Sequence, residues 1–161
     1  MLRARVRARA RGKQTLLLAL ENAPSALRLR FELLETAGVM LGEVSRPTLL
    51  VFDVALIPCG PSVLDVRAAI DAVRVLEQVH RIRGEVPKGA FIPNKLQKNY
   101  RLSEELLMTA KTLGLVVTPG LGLRQAFADA AGQKSVVWKM DRQAEHAATE
   151  ILVLFEHLFG N

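Results

Sequence analysis

The chain has 161 residues, half of them hydrophobic but only 5% aromatic, with one cysteine and a net charge of +6. That allows one domain with a sizeable aliphatic core, excludes an intramolecular disulfide framework, and offers no apolar run near the ~20 residues that a membrane-spanning helix needs. The charge excludes less than it suggests: Arg3, Arg5, Arg7, Arg9, Arg11 and Lys13 stand among residues 1–13 with no acid, and without those six, 16 basic and 16 acidic residues remain.

Residues 1–13 therefore read as a basic, solvated tail of the kind that neutralises phosphates, and residues 14–161 as a single domain. The segment 14–20 is too short for a convincing export-signal core of ~7–15 apolar residues, although an Arg-rich start without acids also has the composition of an organelle transit peptide. One cysteine fits a reducing cytoplasm. Residues 1–47 give no clear order of elements, and Met1 to Arg11, alternating Arg with Ala or Val, is not read as a strand.

After Arg46-Pro47 the pattern clears. Residues 48–57 are β-branched and aliphatic, as in a buried strand broken at Pro58. Ser62 stands at an N-cap with Asp65 three residues on, a short-armed capping box. Val66, Ile70, Val73, Leu76, Val79 and Ile82 then follow helical spacing until Gly84. A second strand covers 90–92, ended by Pro93-Asn94, and 95–99 is a polar loop. A helix over 101–113 closes at Gly114. A third strand over 115–118 ends at Pro119-Gly120, and a short helix covers 123–131. Asp141 caps a last helix whose Ala144, Ala148, Ile151, Leu152, Phe155 and Leu158 form one apolar face.

This β-α-β-α-β-α order predicts an α/β fold, a mostly parallel sheet flanked by helices. Each strand tip carries a Pro or Gly corner, and in a parallel sheet such tips share the edge where ligands sit.

Asp53-Val-Ala-Leu-Ile-Pro-Cys-Gly-Pro-Ser62 with Leu64-Asp65 and Arg67-Ala-Ala69 resembles a strand and helix of the ParA/MinD-type partition ATPases. Phe91-Ile-Pro-Asn-Lys95 with Tyr100-Arg-Leu-Ser103 is similar to their next strand and helix, and Leu123-Arg-Gln-Ala-Phe-Ala-Asp-Ala130 to a later segment. The likeness runs from about Asp53 to Trp138 and is nearest the small plasmid ParF-like branch. It implies a P-loop NTPase fold, ATP with magnesium, dimerisation, non-specific DNA binding, and a ParB-like or other centromere-binding partner in plasmid or chromosome segregation. It also implies that Asn94 and Pro119 line the adenine edge.

The chain departs from that family at the phosphate loop. Only Gly12-Lys13-Gln14-Thr15 resembles it, with Arg7 in place of the first glycine, Gln14 at the magnesium-ligand position and Thr15 one place late. Gly12-Lys13 reads better as a chance pair, with Lys13 in a degenerate phosphate loop as the alternative. Leu16-Leu-Leu-Ala-Leu-Glu-Asn-Ala-Pro-Ser25 has the shape of the γ-phosphate switch, with Glu21 and Ala23 replacing its Asp and first Pro. A rival assignment makes Asp53 the magnesium-binding residue. Without phosphate-binding amides and a placed lysine, transition-state charge loses several kcal/mol of stabilisation, which argues against ATPase activity.

Other chemistry reads plainly. Cys59 is a packed small residue rather than a thiol–imidazole partner of His80. His80, His146 and His157 lack ligand spacing, so no metal site is expected. Arg67, Arg74 and Arg81 share a helix face with Asp71 and Glu77 in salt-bridge reach. Residues 67–101 nevertheless hold eight basic and three acidic residues, a basic patch near Tyr100. Arg81, Arg83, Lys95, Lys98 and Arg101, with Arg124, are the candidate DNA contacts, all to backbone rather than bases. The expected function is a cytoplasmic, nucleoid-associated ParA-like segregation protein, defective in ATP hydrolysis, that binds DNA non-specifically or pairs with itself or an intact relative. The alternatives are an active ATPase with a divergent loop, and a ligand-free interaction domain.

Overall fold

The computed structural model describes residues 3–8, 16–21, 31–33, 49–50 and 52–160, the first three segments as backbone strands. Two strands, β1 (Arg3–Ala8) and β2 (Leu16–Glu21), pair antiparallel, with Arg3 opposite Glu21 and Ala8 opposite Leu16. Arg3–Ala8 is therefore a strand, against the expectation of none before Gly12-Lys13. The Arg/Ala–Val alternation has the period of a strand, and pairing with the apolar segment that follows it realises it.

A second sheet has the order β3-β4-β5-β6, from β3 (Phe31–Leu33), β4 (Val54–Cys59), β5 (Lys88–Pro93) and β6 (Val116–Val117). The pairing of β3 with β4 is parallel. Along β4 and β5, Lys88 N–H donates to Asp53 O and Asn94 N–H to Cys59 O; along β5 and β6, Thr118 N–H donates to Phe91 O and Leu121 N–H to Pro93 O. Partners rise together in number, which is the signature of parallel strands. The fold is α/β, with this parallel sheet flanked by helices.

The run at 48–57 becomes strand later than the sequence predicts. Leu49 sits in a helical turn, buried, and β4 starts at Val54 and continues through Pro58 to Cys59. A proline removes one donor from a strand and ends it only where that donor is needed.

Helix α1 (Val63–Arg83) starts as predicted: Ser62 Oγ accepts from Asp65 N–H at 3.1 Å. It stops at Gly84, whose φ of +78° only a residue without Cβ adopts freely. Ala69, Ala72, Val73, Val75, Leu76 and Val79 are its buried face. Ile82 is 73% exposed, contrary to its expected place on that face. Arg83, four residues after Val79, takes the inner position at this end and donates to Leu49 O at 3.1 Å and Phe52 O at 2.6 Å. Arg74 pairs with Asp71 at 3.0 Å on the exposed face.

Helix α2 (Arg101–Ala110) buries Ser103, Leu106 and Ala110. Helix α3 (Gln125–Gly132) and α4 (Glu145–Phe159) are separated by short 3-10 turns at Val137–Lys139 and Arg142–Ala144. Ala130, Val137, Ala144 and Ala147 form an apolar cluster there, with Phe127, Met140, Ala148 and Ile151 packed against it. Two expectations change. Asp141 precedes the 3-10 turn, not the helix, and makes no side-chain cap bond. Ala147 and Leu154 take the buried line of α4, while Leu152, one residue past Ile151, is 58% exposed.

The chain divides into two compact units: Met1–Pro58 with Arg67–Ala90, and Cys59–Val66 with Phe91–Asn161. The strand tips and most of the predicted site residues belong to the second.

Candidate functional site

At the tip of β4, Cys59 is buried and its thiol donates to Gly60 O at 3.4 Å. Burial first, and the charge of Asp65 second, raise its pKa from 9.0 to about 12. The Asp65 carboxylate and the aliphatic stem of Lys95 both close over Gly60. His80 is committed elsewhere: its Nε2–H donates to Pro87 O at 2.7 Å. The thiol is therefore neutral and packed, and the imidazole is fixed by a backbone carbonyl.

The next two tips carry the predicted base-binding positions. Asn94 Oδ1 accepts the Lys95 N–H at 2.8 Å, so its carbonyl oxygen already serves the turn. Pro119 is half-buried on the neighbouring strand end. Between them, Gly120 lies so close to Leu96 and Pro93 that an added Cβ would overlap the Leu96 side chain and stand 3.3 Å from Pro93 Cβ. Leu96 N–H donates to Leu121 O, and Leu123 N–H to Leu96 O, stitching the two loops together. Asn94 and Pro119 thus stand on adjacent tips whose loops are packed against each other. A polar cavity of about 360 Å³ lies instead beside α3, lined by residues including Gln125, Asp129, Gln133, Lys139, Asp141 and Gln143, none of them a predicted ligand contact.

From Lys95 the chain turns through a tight corner into α2. Lys95 and Asn99 have φ of +55° and +59°, a left-handed conformation that asparagine tolerates better than lysine. The corner is held by Gln97 N–H donating to Ser103 Oγ at 3.1 Å, and by Ser103 N–H and Glu104 N–H donating to Tyr100 O. Lys95 and Lys98 are exposed and have no acidic partner among the described residues. Arg101 is exposed and meets Glu105 at 2.7 Å. Such an exposed pair contributes at most about 1 kcal/mol and yields readily to another anion.

The remaining candidates have internal tasks or lie apart. Arg124 Nη2 donates to Glu150 Oε1 at 2.6 Å, while Gly122 N–H donates to Glu150 Oε2 at 3.1 Å. The hydrogen bond to Glu150 raises the Arg124 pKa further, against an opposing effect of burial. Arg83 holds the carbonyls of Leu49 and Phe52. Arg81 is exposed on α1, in the first compact unit. Lys13 lies outside the described residues. The strands nearest to it on either side are antiparallel neighbours, whereas a phosphate loop joins a strand to the N-terminus of a helix.

No protein-family model matches the chain, and no curated protein matches it. Among the described residues no three His, Cys, Asp or Glu side chains gather as a metal site would need, and no helix is long and apolar enough to cross a membrane.

Glu150 carries a role that the sequence reading misses. It anchors the loop after β6 through both carboxylate oxygens, 26 and 28 residues away from its partners. The available signal is its position, three residues after Ala147 and four before Leu154, where a helix face otherwise apolar holds an acid. Glu150→Gln is expected to destabilise the fold by about 1 kcal/mol in urea titrations, since the pair is partly exposed. It frees Arg124 for outside anions as well. Unchanged stability would show that the clamp holds nothing.

Proposed function

We propose that the chain is a ParA-like domain without a working phosphate loop that binds the DNA backbone through the corner between β5 and α2. The observation that carries this reading is the cluster Lys95, Lys98 and Arg101: three exposed cations on one hydrogen-bonded turn, two with no acidic partner among the described residues. The hydrogen-bonded turn fixes the backbone from which these exposed side chains reach phosphates, and nothing in the cluster selects a base sequence. The reading without a working phosphate loop is supported by the antiparallel pairing of Arg3–Ala8 with Leu16–Glu21, where the family's loop leads from a strand into a helix. Nucleoid association, and pairing with an intact relative or a ParB-like partner, are what the resemblance adds.

The test is fluorescence anisotropy with labelled duplex DNA across a salt series. Three neutralised phosphates give a log–log slope of about −2.7, so affinity should fall about 40-fold between 50 and 200 mM salt. Reversing Lys95, Lys98 and Arg101 to Glu should remove the affinity and salt dependence that these three supply, leaving only what the cations of residues 1–13 retain, while circular dichroism stays unchanged. Salt-independent retention would defeat the reading, and magnesium-dependent ATP turnover would replace it with an active ATPase.

A further inference from the structure

The corner that carries the three cations also carries the chain's single tyrosine. Tyr100 stands between Lys98 and Arg101, at the N-cap of α2, and is 39% exposed. Its side chain makes no cap hydrogen bond, and no hydrogen bond or ring contact engages its phenol among the described residues. Its backbone, by contrast, is fixed: its N–H donates to Gln97 O at 3.3 Å and its carbonyl accepts from Ser103 and Glu104. A partly exposed aromatic ring on a fixed backbone, flanked by cations, is of no use to a duplex backbone, whose bases are already stacked. It suits a strand whose bases are free. Sequence-tolerant single-strand sites combine these two parts, a cationic track for phosphates and an aromatic face on which a base stacks.

We infer that the Lys95–Arg101 corner binds single-stranded DNA in preference to duplex, with Tyr100 as the stacking platform. This rests on the DNA-binding reading given above, and names the form of DNA that the same surface takes. The phosphates of the strand lie along Lys95, Lys98 and Arg101, and one unpaired base covers the phenol. Removing the ring takes away the stacking face and the packing of its covered part, but no hydrogen bond of another described residue.

The experiment compares oligothymidine of about 15 nucleotides with a duplex of equal length, a span within single-strand site sizes. The wild-type chain and Tyr100→Ala, Tyr100→Trp and Lys98→Glu variants are titrated at one salt concentration, after circular dichroism has established that each is folded. Tyr100→Ala should weaken oligothymidine binding about tenfold and duplex binding less than twofold, and Tyr100→Trp should restore it. Lys98→Glu should weaken both. In a Trp138→Phe background all aromatic emission above 300 nm comes from Tyr100, and oligothymidine should quench it at saturation. If the wild type binds both forms equally, or Tyr100→Ala weakens both alike, or the emission is unchanged on binding, the stacking inference falls while backbone binding stands. If the wild type binds neither form, both fall.

Discussion

Cys59 in the native chain is expected to react with thiol reagents at pH 8 at least about a hundredfold more slowly than in the urea-unfolded chain. A shift from 9.0 to about 12 lowers the thiolate fraction at that pH roughly a thousandfold, and the thiolate is the nucleophile. Burial at the tip of β4 restricts access as well. The same shift has a consequence for stability. Below pH 9 the thiol is protonated in both states and contributes no pH dependence. Between pH 9 and about 12 the unfolded chain releases the proton while the folded chain keeps it, so stability falls as pH rises. The slope approaches about 1.4 kcal/mol per pH unit. Urea titrations between pH 9.5 and 10.5 should show the wild type losing about 1 kcal/mol more than Cys59→Ala. Rapid native labelling, or equal alkaline losses in both chains, would mean that the tip of β4 is open and that its cysteine is available for chemistry after all.

The elements that could be read from the sequence are those fixed by neighbours along the chain. Ser62 and Gly84 bracket α1 because a cap and a left-handed stop act within a turn of the helix. The three strand tips fall within two residues of Pro58, Pro93 and Pro119, although β4 runs through Pro58 to Cys59. What could not be read depends on partners far away. Arg83 resembles any other charge on a solvated helix until the carbonyls of Leu49 and Phe52, more than 30 residues earlier, are placed beside it. Arg124 counts as a free cation until Glu150 reaches it. The start of β4 lies within a run of apolar residues that are all acceptable in a strand, and the pairing of Val54 with Phe31 together with the rung from Lys88 N–H to Asp53 O selects where pairing begins. Within the candidate site, the charges of Lys95, Lys98 and Arg101 were legible, but their fixed presentation was not. It arises from Ser103, a small polar residue buried at the start of α2, whose hydroxyl takes the Gln97 N–H.

Phe91→Ala is expected to produce the largest loss of stability of any single substitution considered, about 3–5 kcal/mol. Phe91 is the largest fully buried side chain among the described residues, 1% exposed, and it lies on β5, which has a neighbour on each side in the sheet. Its backbone carbonyl accepts from Thr118 N–H at 3.0 Å and Thr118 Oγ1 at 3.3 Å, and alanine keeps both bonds. The loss is therefore one of packing: a ring-sized void that close-packed neighbours fill only in part. Phe91→Leu, which keeps most of the volume, should cost about 1–1.5 kcal/mol. For a chain of this length the alanine variant corresponds to a melting point lower by about 6–20 °C, read by circular dichroism. The substitution also separates the scaffold from the surface. Lys95, Lys98 and Arg101 hang from a turn whose bonds run to Ser103, Tyr100 and, through Leu96, to Leu121 and Leu123, not to Phe91. At a temperature where the variant is still fully folded, its DNA affinity should stay within about twofold of wild type, because the phosphate-facing charges are untouched. A variant that is folded but no longer holds DNA would show that the corner is positioned through the strand behind it, and that its cations are not a surface independent of the core.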